Sequence, residues 1–368
     1  MSVKVRTLAI NPGSTSTKIA IFDDFKKLWG VTVRHSPQEL ERFDEVQDQL
    51  EYRTEMVERS IVAGGFSMES IDIYSGRGGG LLPLPGGVYR VGKLLVSHAA
   101  QAINGMDHPA QLGAQIAKIF ANKYNKLAIV VNPPDTDEFC DVARITGLKG
   151  IYRESHLHAL NQKETALRYC YARGIKYEDI NLIVCHVGGG ISITAHQRGR
   201  MIDSNDVIKG SGPMSPNRAG DIPTHQLLEL AYSGEYTKKE LNDRLSKHGG
   251  LMDFFGTQDM DEIVDLISQG DNLAKTILDG MVYQNAKYVG AMAAALCGKV
   301  DGIILTGGIS NNEAFTKRLI KYIDWIAEIV VMPGEFELEA LAAGAVRIMR
   351  GEQELKEYMG RPVWNGFN

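Results

Sequence analysis

Two strand–turn–strand units rich in small residues constrain the fold of this chain more than any other feature. In the first, apolar residues 5–10 and 18–22 flank the polar turn 11–17. In the second, apolar residues 182–186 and 191–195 flank the glycines at 188–190. Small residues between apolar runs predict β-hairpins. Because one hairpin opens each half of the chain, we expect a duplicated α/β unit.

The length of 368 residues predicts two domains. We expect an N-terminal domain over residues 1–155 and a C-terminal domain over residues 156–344, with the last segment, 345–368, packed back on the first domain. The spacing of apolar residues predicts helices over 109–123, 161–173, 272–296 and 337–350 and a buried strand over 127–131. Residues 199–221 are rich in glycine, proline, serine and asparagine, which predicts a long functional loop.

Composition argues against several classes of function. The net charge is −5 and lysine and arginine do not cluster, so we expect no nucleic-acid partner. The four cysteines are scattered without Cys-x-x-Cys spacing, which favours a reducing cytoplasm over a disulfide framework or a zinc ribbon. No window approaches the roughly 18 apolar residues of a membrane span, and the first apolar stretch is too short for a signal peptide.

The first turn has the composition of a phosphate-binding loop. Its small residues let the backbone approach an anion closely, and the hydroxyls of Ser14 and Ser16 are hydrogen-bond donors. Lys18 adds a compact positive charge. The spacing is not that of a Walker loop, because a strand rather than a helix follows. An ordinary polar hairpin turn is the alternative.

Three further side chains stand beside glycines. His186 leads into the glycines at 188–190, where an imidazole can donate to a phosphoryl oxygen. Arg77 and Arg218 lie in glycine-rich segments, and an arginine fork matches carboxylate and phosphate oxygens bidentately. A structural histidine and solvated arginines are the alternatives.

Two segments follow predicted strands. Asp135 comes after the run 127–131, where a carboxylate is well placed for magnesium or for proton transfer, although a turn cap is the alternative. Gly307, Gly308 and Asn311 follow the apolar run 302–305 and precede a predicted helix. Such a turn brings backbone N–H groups to a ligand and suits the adenosine part of a nucleotide, unless it is a generic strand–helix connection.

Together these segments resemble the acetate and butyrate kinase family, a branch of the actin, sugar-kinase and Hsp70 superfamily. The matching segments are LAINPGSTSTK at 8–18, CHVGGG at 185–190, NRAGDI at 217–222 and LTGGI at 305–309. The resemblance runs across nearly the whole chain. It implies an α/β fold of two ribonuclease-H-like, actin-like ATPase domains with a nucleotide cleft between them.

The resemblance also implies cofactors and partners. ATP or ADP with Mg²⁺ would be bound, and the substrate would be a short-chain carboxylic acid or its acyl phosphate. A cytoplasmic homodimer or higher homo-oligomer is expected.

The resemblance further assigns roles to single residues. Arg77 and Arg218 would hold the acyl carboxylate and the migrating phosphoryl group, which His186 would steady. His108 and Asp135 match a histidine and an aspartate of the family's catalytic set. The residues expected at the nucleotide are Asn11, Ser14, Ser16, Lys18, Gly188, Gly189, Gly190, Gly307, Gly308 and Asn311.

A glutamate of the segment 337–342 would complete a magnesium site with Asn11. Glu337 and Glu339 are both candidates, and Glu339 is preferred.

The sequence departs from acetate kinases at three places, and the last two of them resemble butyrate kinases. The segment 152–156, YRESH, keeps only the second histidine of the acetate kinase run, so no role passes to its first position. Gly78 and Gly79 replace two valines, which predicts a wider acyl pocket. An insertion common in acetate kinases is missing. Butyrate is therefore the expected acceptor, with isobutyrate, acetate and propionate as alternatives.

Two other functions stay open. A sugar or glycerol kinase of the same superfamily would need a carboxylate base for a hydroxyl nucleophile, and Asp135 is available for that role. An Hsp70-like or actin-like nucleotide switch would need no acceptor, but the chain shows neither an appended peptide-binding domain nor an extended linker.

Overall fold

The computed structural model describes residues 4–367 and divides into two compact units. Unit 1 runs to Asp137 and resumes at Phe336, and unit 2 comprises Glu138–Glu335. Both units are mixed α/β, which confirms the predicted fold class.

The boundaries differ from those expected at residues 155 and 344. Residues after Glu138 pack on unit 2, where Met201 N donates to Glu138 Oε2 (2.8 Å) and Arg153 Nη1 to Asp203 Oδ1 (2.8 Å). At the other end, the whole last helix packs on the sheet of unit 1, so the chain returns to that unit earlier than predicted.

The strands of residues 4–367 form one sheet in each unit. In chain order they are β1 Arg6–Pro12, β2 Ser16–Asp23, β3 Lys26–Arg34, β4 Ile73–Gly76, β5 Val88–Arg90, β6 Leu127–Val131, β7 Asn181–Val187, β8 Ile191–Gln197, β9 Arg200–Ser204, β10 Gly302–Thr306, β11 Ile329–Val331 and β12 Leu355–Glu357. The strand order is β12-β5-β6-β4-β1-β2-β3 in unit 1 and β11-β10-β7-β8-β9 in unit 2.

Helices cover the sheets. In chain order they are α1 Pro37–Leu40, α2 Leu50–Ala63, α3 Lys93–Ala100, α4 Ala110–Tyr124, α5 Asp141–Arg144, α6 Ala159–Arg173, α7 Thr224–Tyr232, α8 Lys238–Ser246, α9 Leu251–Phe255, α10 Met260–Ser268, α11 Asn272–Ala295, α12 Glu313–Ile323 and α13 Glu337–Met349. Within residues 4–367 no helix is both long and apolar enough to cross a bilayer. The four cysteines are free thiols.

Both predicted hairpins are confirmed. β1 and β2 are antiparallel with Asn11 opposite Lys18, and β7 and β8 are antiparallel with His186 opposite Ser192. The helices predicted by apolar spacing correspond to α4, α6, α11 and α13, and the predicted buried strand is β6. The expected loop over 199–221 is wrong in its first part, because β9 occupies Arg200–Ser204 and pairs with β8.

A close crossing of α4 over β4 fixes the backbone beside Arg77. A Cβ on Gly113 would lie 2.5 Å from the Arg77 carbonyl oxygen and 2.9 Å from its amide nitrogen. A Cβ on Gly76 would meet the Gly113 carbonyl group. Only glycine at both positions lets the helix and the strand approach so closely.

We predict that Gly113→Ala lowers the free energy of unfolding by about 1–3 kcal/mol, as overpacking does. Gly280→Ala on α11 is the matched control, since a Cβ there has nothing within 4 Å, and it should stabilise the protein by about 0.5–1 kcal/mol. Urea unfolding followed by circular dichroism measures both changes. Equal effects of the two substitutions would contradict the tight crossing.

Candidate functional site

Strand pairing in unit 1 brings three polar residues together at one sheet edge. β1 and β4 are parallel with Ile10 opposite Gly76, so Asn11 and Arg77 follow side by side. The helix α13, which packs on β1, begins at Glu337. We refer to Asn11, Arg77 and Glu337 as the unit 1 cluster.

Hydrogen bonds join all members of the unit 1 cluster. Arg77 Nη1 donates to Glu337 Oε1 (2.6 Å) and to Asn11 Oδ1 (3.3 Å), and Asn11 Nδ2 donates to Glu337 Oε2 (2.5 Å). The Nε of Arg77 is buried and finds no acceptor among residues 4–367. A buried donor left unpaired costs roughly 1–3 kcal/mol. Such a cost in a native structure is typical of a binding site.

The first turn presents polar groups to solvent. Gly13 N donates to Ser16 O (2.7 Å) and closes the turn, while Ser14 and Lys18 are exposed and Ser16 is half-buried. Because Lys18 lies opposite Asn11 in the hairpin, the two side chains share one face of the sheet. The structure thus brings Lys18 to the same face as the unit 1 cluster.

His108 precedes α4 and is held by the start of that helix. Its Nδ1 accepts a hydrogen bond from Ala110 N (3.1 Å), which leaves the proton of the neutral ring on Nε2. The pKa of His108 is lowered, first by desolvation and then by the positive charges of Arg77 and Arg53. A neutral ring with an Nε2–H can donate one hydrogen bond to an anion.

Asp135 anchors the loop that follows Arg77. Its Oδ1 accepts from Leu81 N (3.2 Å) and from Asn104 Nδ2 (2.6 Å). These bonds match the turn-cap alternative, and they do not join Asp135 to the unit 1 cluster. Its proposed catalytic role stays a prediction.

The expectation of extra space at Gly78 and Gly79 is wrong. A Cβ on Gly78 would lie 2.7 Å from Pro133 Cβ, and a Cβ on Gly79 would lie 3.1 Å from Gln111 N. Both glycines therefore allow close packing of the protein on itself, and neither leaves a gap for a substrate.

Unit 2 assembles a second group of predicted residues at the ends of β7 and β10. These strands are parallel with His186 opposite Thr306, so the glycine turn at 188–190 and Gly307 meet at one edge. A Cβ on Gly190 would lie 3.3 Å from Arg218 Cζ, which shows that the guanidinium rests directly on the turn. We refer to His186, residues 188–190, Arg218 and Gly307 as the unit 2 cluster.

His186 is buried, and its ring orientation is fixed from two sides. Asn161 Nδ2 donates to His186 Nδ1 (2.8 Å), so the neutral ring carries its proton on Nε2. His158 stacks on the ring with 3.8 Å between centroids and 13° between planes. A Cβ on Gly188 would lie 3.4 Å from His186 Nε2, so this donor faces the glycine turn.

A buried chain of hydrogen bonds supports His158. Its Nδ1 bonds Ser192 Oγ (2.9 Å), which also accepts from Gln162 Nε2 (2.9 Å). Gln162 Oε1 accepts from His196 Nε2 (3.0 Å), and His196 Nδ1 bonds Tyr177 OH (2.6 Å). Burial and then the charge of Lys163 lower the pKa of His196 to about 3. His196 is therefore neutral, so that its Nε2–H donates to Gln162 and its Nδ1 accepts from the Tyr177 hydroxyl.

Arg218 is desolvated in unit 2. Its Nη1 donates to the Val207 carbonyl, and its buried Nε has no acceptor among residues 4–367. Burial lowers the pKa of Arg218, and the charge of Asp206 acts in the opposite direction. His156, whose role the sequence left open, bonds Asp206 through Nδ1 (2.9 Å).

A cavity of about 310 Å³ lies beside Arg218. Polar groups on its wall include Asp206, Lys209 and Asp221. Its apolar wall includes Ile191, Val207, Ile222, Leu227 and Leu245. An arginine next to an apolar wall suits a small anion with a hydrocarbon part.

The turn after β10 has two different glycines. Gly307 has φ +89°, and a Cβ there would meet the carbonyl oxygen of Val187, so this position requires glycine. Gly308 is exposed with nothing within 4 Å of a Cβ, which leaves its backbone open to a ligand. Asn311 Nδ2 donates to Gly308 O (2.9 Å) and closes the turn.

The unit 1 cluster offers oxygen ligands suited to magnesium. Among residues 4–367 no group of three or more His, Cys, Asp or Glu side chains is arranged to hold a metal. Mg²⁺ is usually held through one or two carboxylates together with substrate phosphates, so Glu337 and Asn11 Oδ1 fit that ion. Glu337 rather than Glu339 is the glutamate joined to Asn11, which opposes the preference for Glu339.

Sequence reasoning missed several residues of the two clusters and their support. Arg53 and the His158 network carried no motif. For Arg53 a signal existed, because it precedes Val57 and Ile61 at intervals of four on the buried face of α2. His158 carried no such signal, because nothing in the sequence predicts that its ring stacks on His186.

The chain folds into two α/β units, each with one mixed sheet, and solved structures share this fold. Residues 155–327 match the model of the acetokinase family. This segment contains the predicted residues His186 and Arg218.

Three solved kinases share the fold. Porphyromonas gingivalis acetate kinase is 18% identical over 94% of this chain and 100% of that chain, with a TM-score of 0.77. Entamoeba histolytica acetate kinase is 15% identical over 92% of this chain and 98% of that chain, with a TM-score of 0.74. Francisella tularensis propionate kinase is 19% identical over 92% of this chain and 98% of that chain, with a TM-score of 0.72.

We predict that the neutral His196 makes the protein sensitive to acid. Its folded pKa of about 3 lies below the usual 6.5, so the unfolded state binds more protons between those values. The contribution of His196 to the free energy of unfolding is therefore fully present above pH 6.5 and is lost as the pH decreases towards 3. The loss is about 1.4 kcal/mol at one unit below 6.5.

Nitrogen-15 NMR of the imidazole rings measures this directly. The His196 resonances should report an uncharged Nε2–H ring at pH 5, and His196→Gln should flatten the dependence of the urea midpoint on pH. A His196 signal that titrates near pH 6.5 would contradict the buried network.

Proposed function

We propose that the chain is an ATP-dependent kinase of short-chain carboxylic acids, with butyrate as its preferred acceptor. One observation carries the proposal. Inside the segment that matches the acetokinase family, a desolvated Arg218 rests on the glycine turn that follows His186. The four free thiols support the expectation of a reducing cytoplasm.

Two anions must meet in this reaction, and the clusters supply the positive charge to allow it. Arg77 and Arg218 each keep a buried Nε–H without an acceptor among residues 4–367, so both guanidinium groups have unused capacity for an anion. An arginine fork fits carboxylate and phosphoryl oxygens. His186 Nε2–H adds a directed donor without adding charge.

The chemical step needs no base. A carboxylate oxygen attacks the γ-phosphorus of ATP in line, the bond from that phosphorus to the bridging oxygen breaks, and ADP leaves with the bonding electrons. No proton is transferred. The chain's own contribution is to position both reactants and to stabilise the charge on the transferring oxygens.

Magnesium would neutralise phosphate charge when bound, and Glu337 with Asn11 would hold it. Glu337 uses both carboxylate oxygens for Arg77 and Asn11. The same contacts keep Arg77 in place before a nucleotide is bound.

The cavity beside Arg218 supports an acyl chain longer than acetate. Each buried methylene contributes roughly 0.8 kcal/mol, so the two extra methylenes of butyrate favour it over acetate by roughly tenfold. Isobutyrate, acetate and propionate are the alternative acceptors, and the names of the similar solved structures include acetate and propionate kinases.

A sugar or glycerol kinase is the alternative enzyme. It needs a carboxylate base for a hydroxyl nucleophile, and Asp135, whose Oδ1 accepts from Leu81 N and Asn104 Nδ2, is the candidate for that role. A nucleotide switch would hydrolyse ATP slowly and ignore carboxylic acids.

We predict ATP-dependent formation of an acyl phosphate, trapped with hydroxylamine, from straight and branched acids of two to six carbons, and no ADP release with glycerol or glucose. The kcat/KM for butyrate should exceed that for acetate by roughly tenfold. ADP release with glycerol or glucose alone, or slow hydrolysis that no acid changes, would reject the proposal in favour of one of the two alternatives.

Arginine variants test whether the two clusters carry the reaction. Arg77→Ala and Arg218→Ala should each lower kcat by orders of magnitude, because each leaves anionic charge uncompensated. The exposed Arg90→Ala is the control and should leave turnover unchanged. Near-normal kcat in either cluster variant, with circular dichroism like that of the wild type, removes that arginine from the mechanism.

We predict that Glu337→Gln raises the Mg²⁺ concentration for half-maximal activity at least roughly tenfold, whereas Glu339→Gln does not, because one charged ligand is lost only in the first. Calorimetric titration with ADP, with and without Mg²⁺, gives a readout independent of turnover. The opposite ranking of the two variants would restore Glu339 to the magnesium site.

A further inference from the structure

Arg53 is an arginine buried completely in the core of unit 1. Its side chain has 0% relative exposure, and it lies on α2 one turn before Val57 and two turns before Ile61. Arginine is almost never fully buried without a charged partner. The position therefore requires an explanation.

The guanidinium of Arg53 donates hydrogen bonds to five oxygen atoms. Four of them belong to the first turn, residues 11–17, and the fifth belongs to a side chain four residues before Arg53. The acceptors are Gly13 O (2.9 Å), Ser16 O (3.3 Å), Thr17 Oγ1 (3.1 Å), Ser14 O (3.1 Å) and Gln49 Oε1 (2.9 Å).

All of these acceptors are neutral. No Asp or Glu among residues 4–367 forms an ion pair with Arg53. Desolvation lowers its pKa to about 10, so the group stays charged at neutral pH. A buried charge without a counter-ion is strongly unfavourable. A protein keeps such a charge where it serves a function.

The field of Arg53 reaches ionisable groups near the turn. The pKa of His35 is lowered to about 4, first by burial and then by Arg53. His35 Nε2 shares Thr17 Oγ1 with Arg53 (2.9 Å), so the cation and a neutral imidazole support the same side chain. The positive potential of Arg53 also lowers the pKa of His108 after burial and Arg77.

The direction of the turn carbonyls matters for an anion. A carbonyl oxygen aimed at a phosphate would repel it, whereas Gly13 O, Ser14 O and Ser16 O are all held towards Arg53. Ser14 and Lys18 themselves are exposed to solvent.

We propose that Arg53 is a positioning residue for the polyphosphate of the nucleotide: it draws the turn carbonyls away from the anion and places an uncompensated positive charge behind the turn. The inference rests on the proposed function for the identity of the nucleotide. The bound polyphosphate then supplies the negative charge that the neutral acceptors around Arg53 do not provide.

The test uses Arg53→Met, which keeps bulk and removes charge, and Arg53→Lys, which keeps charge and loses the fork. Arg59→Met is the control on the same helix, since Arg59 is exposed and pairs with Glu55. Calorimetry on the full chain measures the Kd of inorganic tripolyphosphate, and steady-state kinetics give separate KM values for ATP and butyrate.

We expect Arg53→Met to weaken tripolyphosphate binding and to raise the KM for ATP by roughly tenfold, a change of about 1.4 kcal/mol. The KM for butyrate should change little, Arg53→Lys should restore most of the affinity, and Arg59→Met should match the wild type. A purely structural role would shift both KM values together.

Two results would overturn the inference: wild-type affinity for tripolyphosphate in Arg53→Met, or equal rises of both KM values in Arg53→Met and Arg53→Lys. If Arg53→Met does not fold, Arg53→Lys decides, because a selective change in the KM for ATP supports the inference and an equal change in both opposes it. If the wild type phosphorylates no carboxylic acid, the proposed function fails, whereas the tripolyphosphate titration still decides the role of Arg53.

Discussion

The pairing of two parallel strands at the centre of each sheet is the constraint on which both clusters depend. In unit 1, β1 and β4 end side by side, so Asn11 and Arg77 emerge at one edge. In unit 2, β7 and β10 end with His186 opposite Thr306. Both strand pairs lie among apolar neighbours, and a register shift of one residue would turn their apolar side chains to the wrong face. Packing of apolar side chains therefore sets the positions of the polar groups at the strand ends.

The arginines of the two units differ in their counter-charges. Arg77 is paired with Glu337, Arg218 is influenced by Asp206, and Arg53 is bonded only to neutral acceptors. A protein without bound anion thus contains positive charge that its own carboxylates only partly offset. An anion with several charges relieves this unfavourable energy on binding, so part of the affinity is set by the cost in the free protein.

Patterns of small and apolar residues predict the hairpins and the glycine turns, because few structures other than a tight turn accommodate them. Positions that depend on packing do not follow from sequence. The choice between Glu337 and Glu339 depends on how α13 rotates against β1. The effect of Gly78 depends on Pro133, which fills the space that the sequence assigned to a substrate. Arg53 was missed because a helical arginine is ordinarily solvated, although its spacing to Val57 and Ile61 places it on the buried face of α2.

The stack of His158 on His186 limits the charge that unit 2 can hold at its glycine turn. Two unit charges about 4 Å apart repel by about 4 kcal/mol at an effective dielectric constant of 20, and the ring centroids are 3.8 Å apart. Both rings are therefore not charged together near neutral pH. Arg218, at the same turn, keeps its charge at any physiological pH. The cluster thus takes its positive charge from an arginine that cannot release a proton, and its directional donor from the His186 ring, whose Nδ1 accepts from Asn161 and whose Nε2 faces the glycine turn.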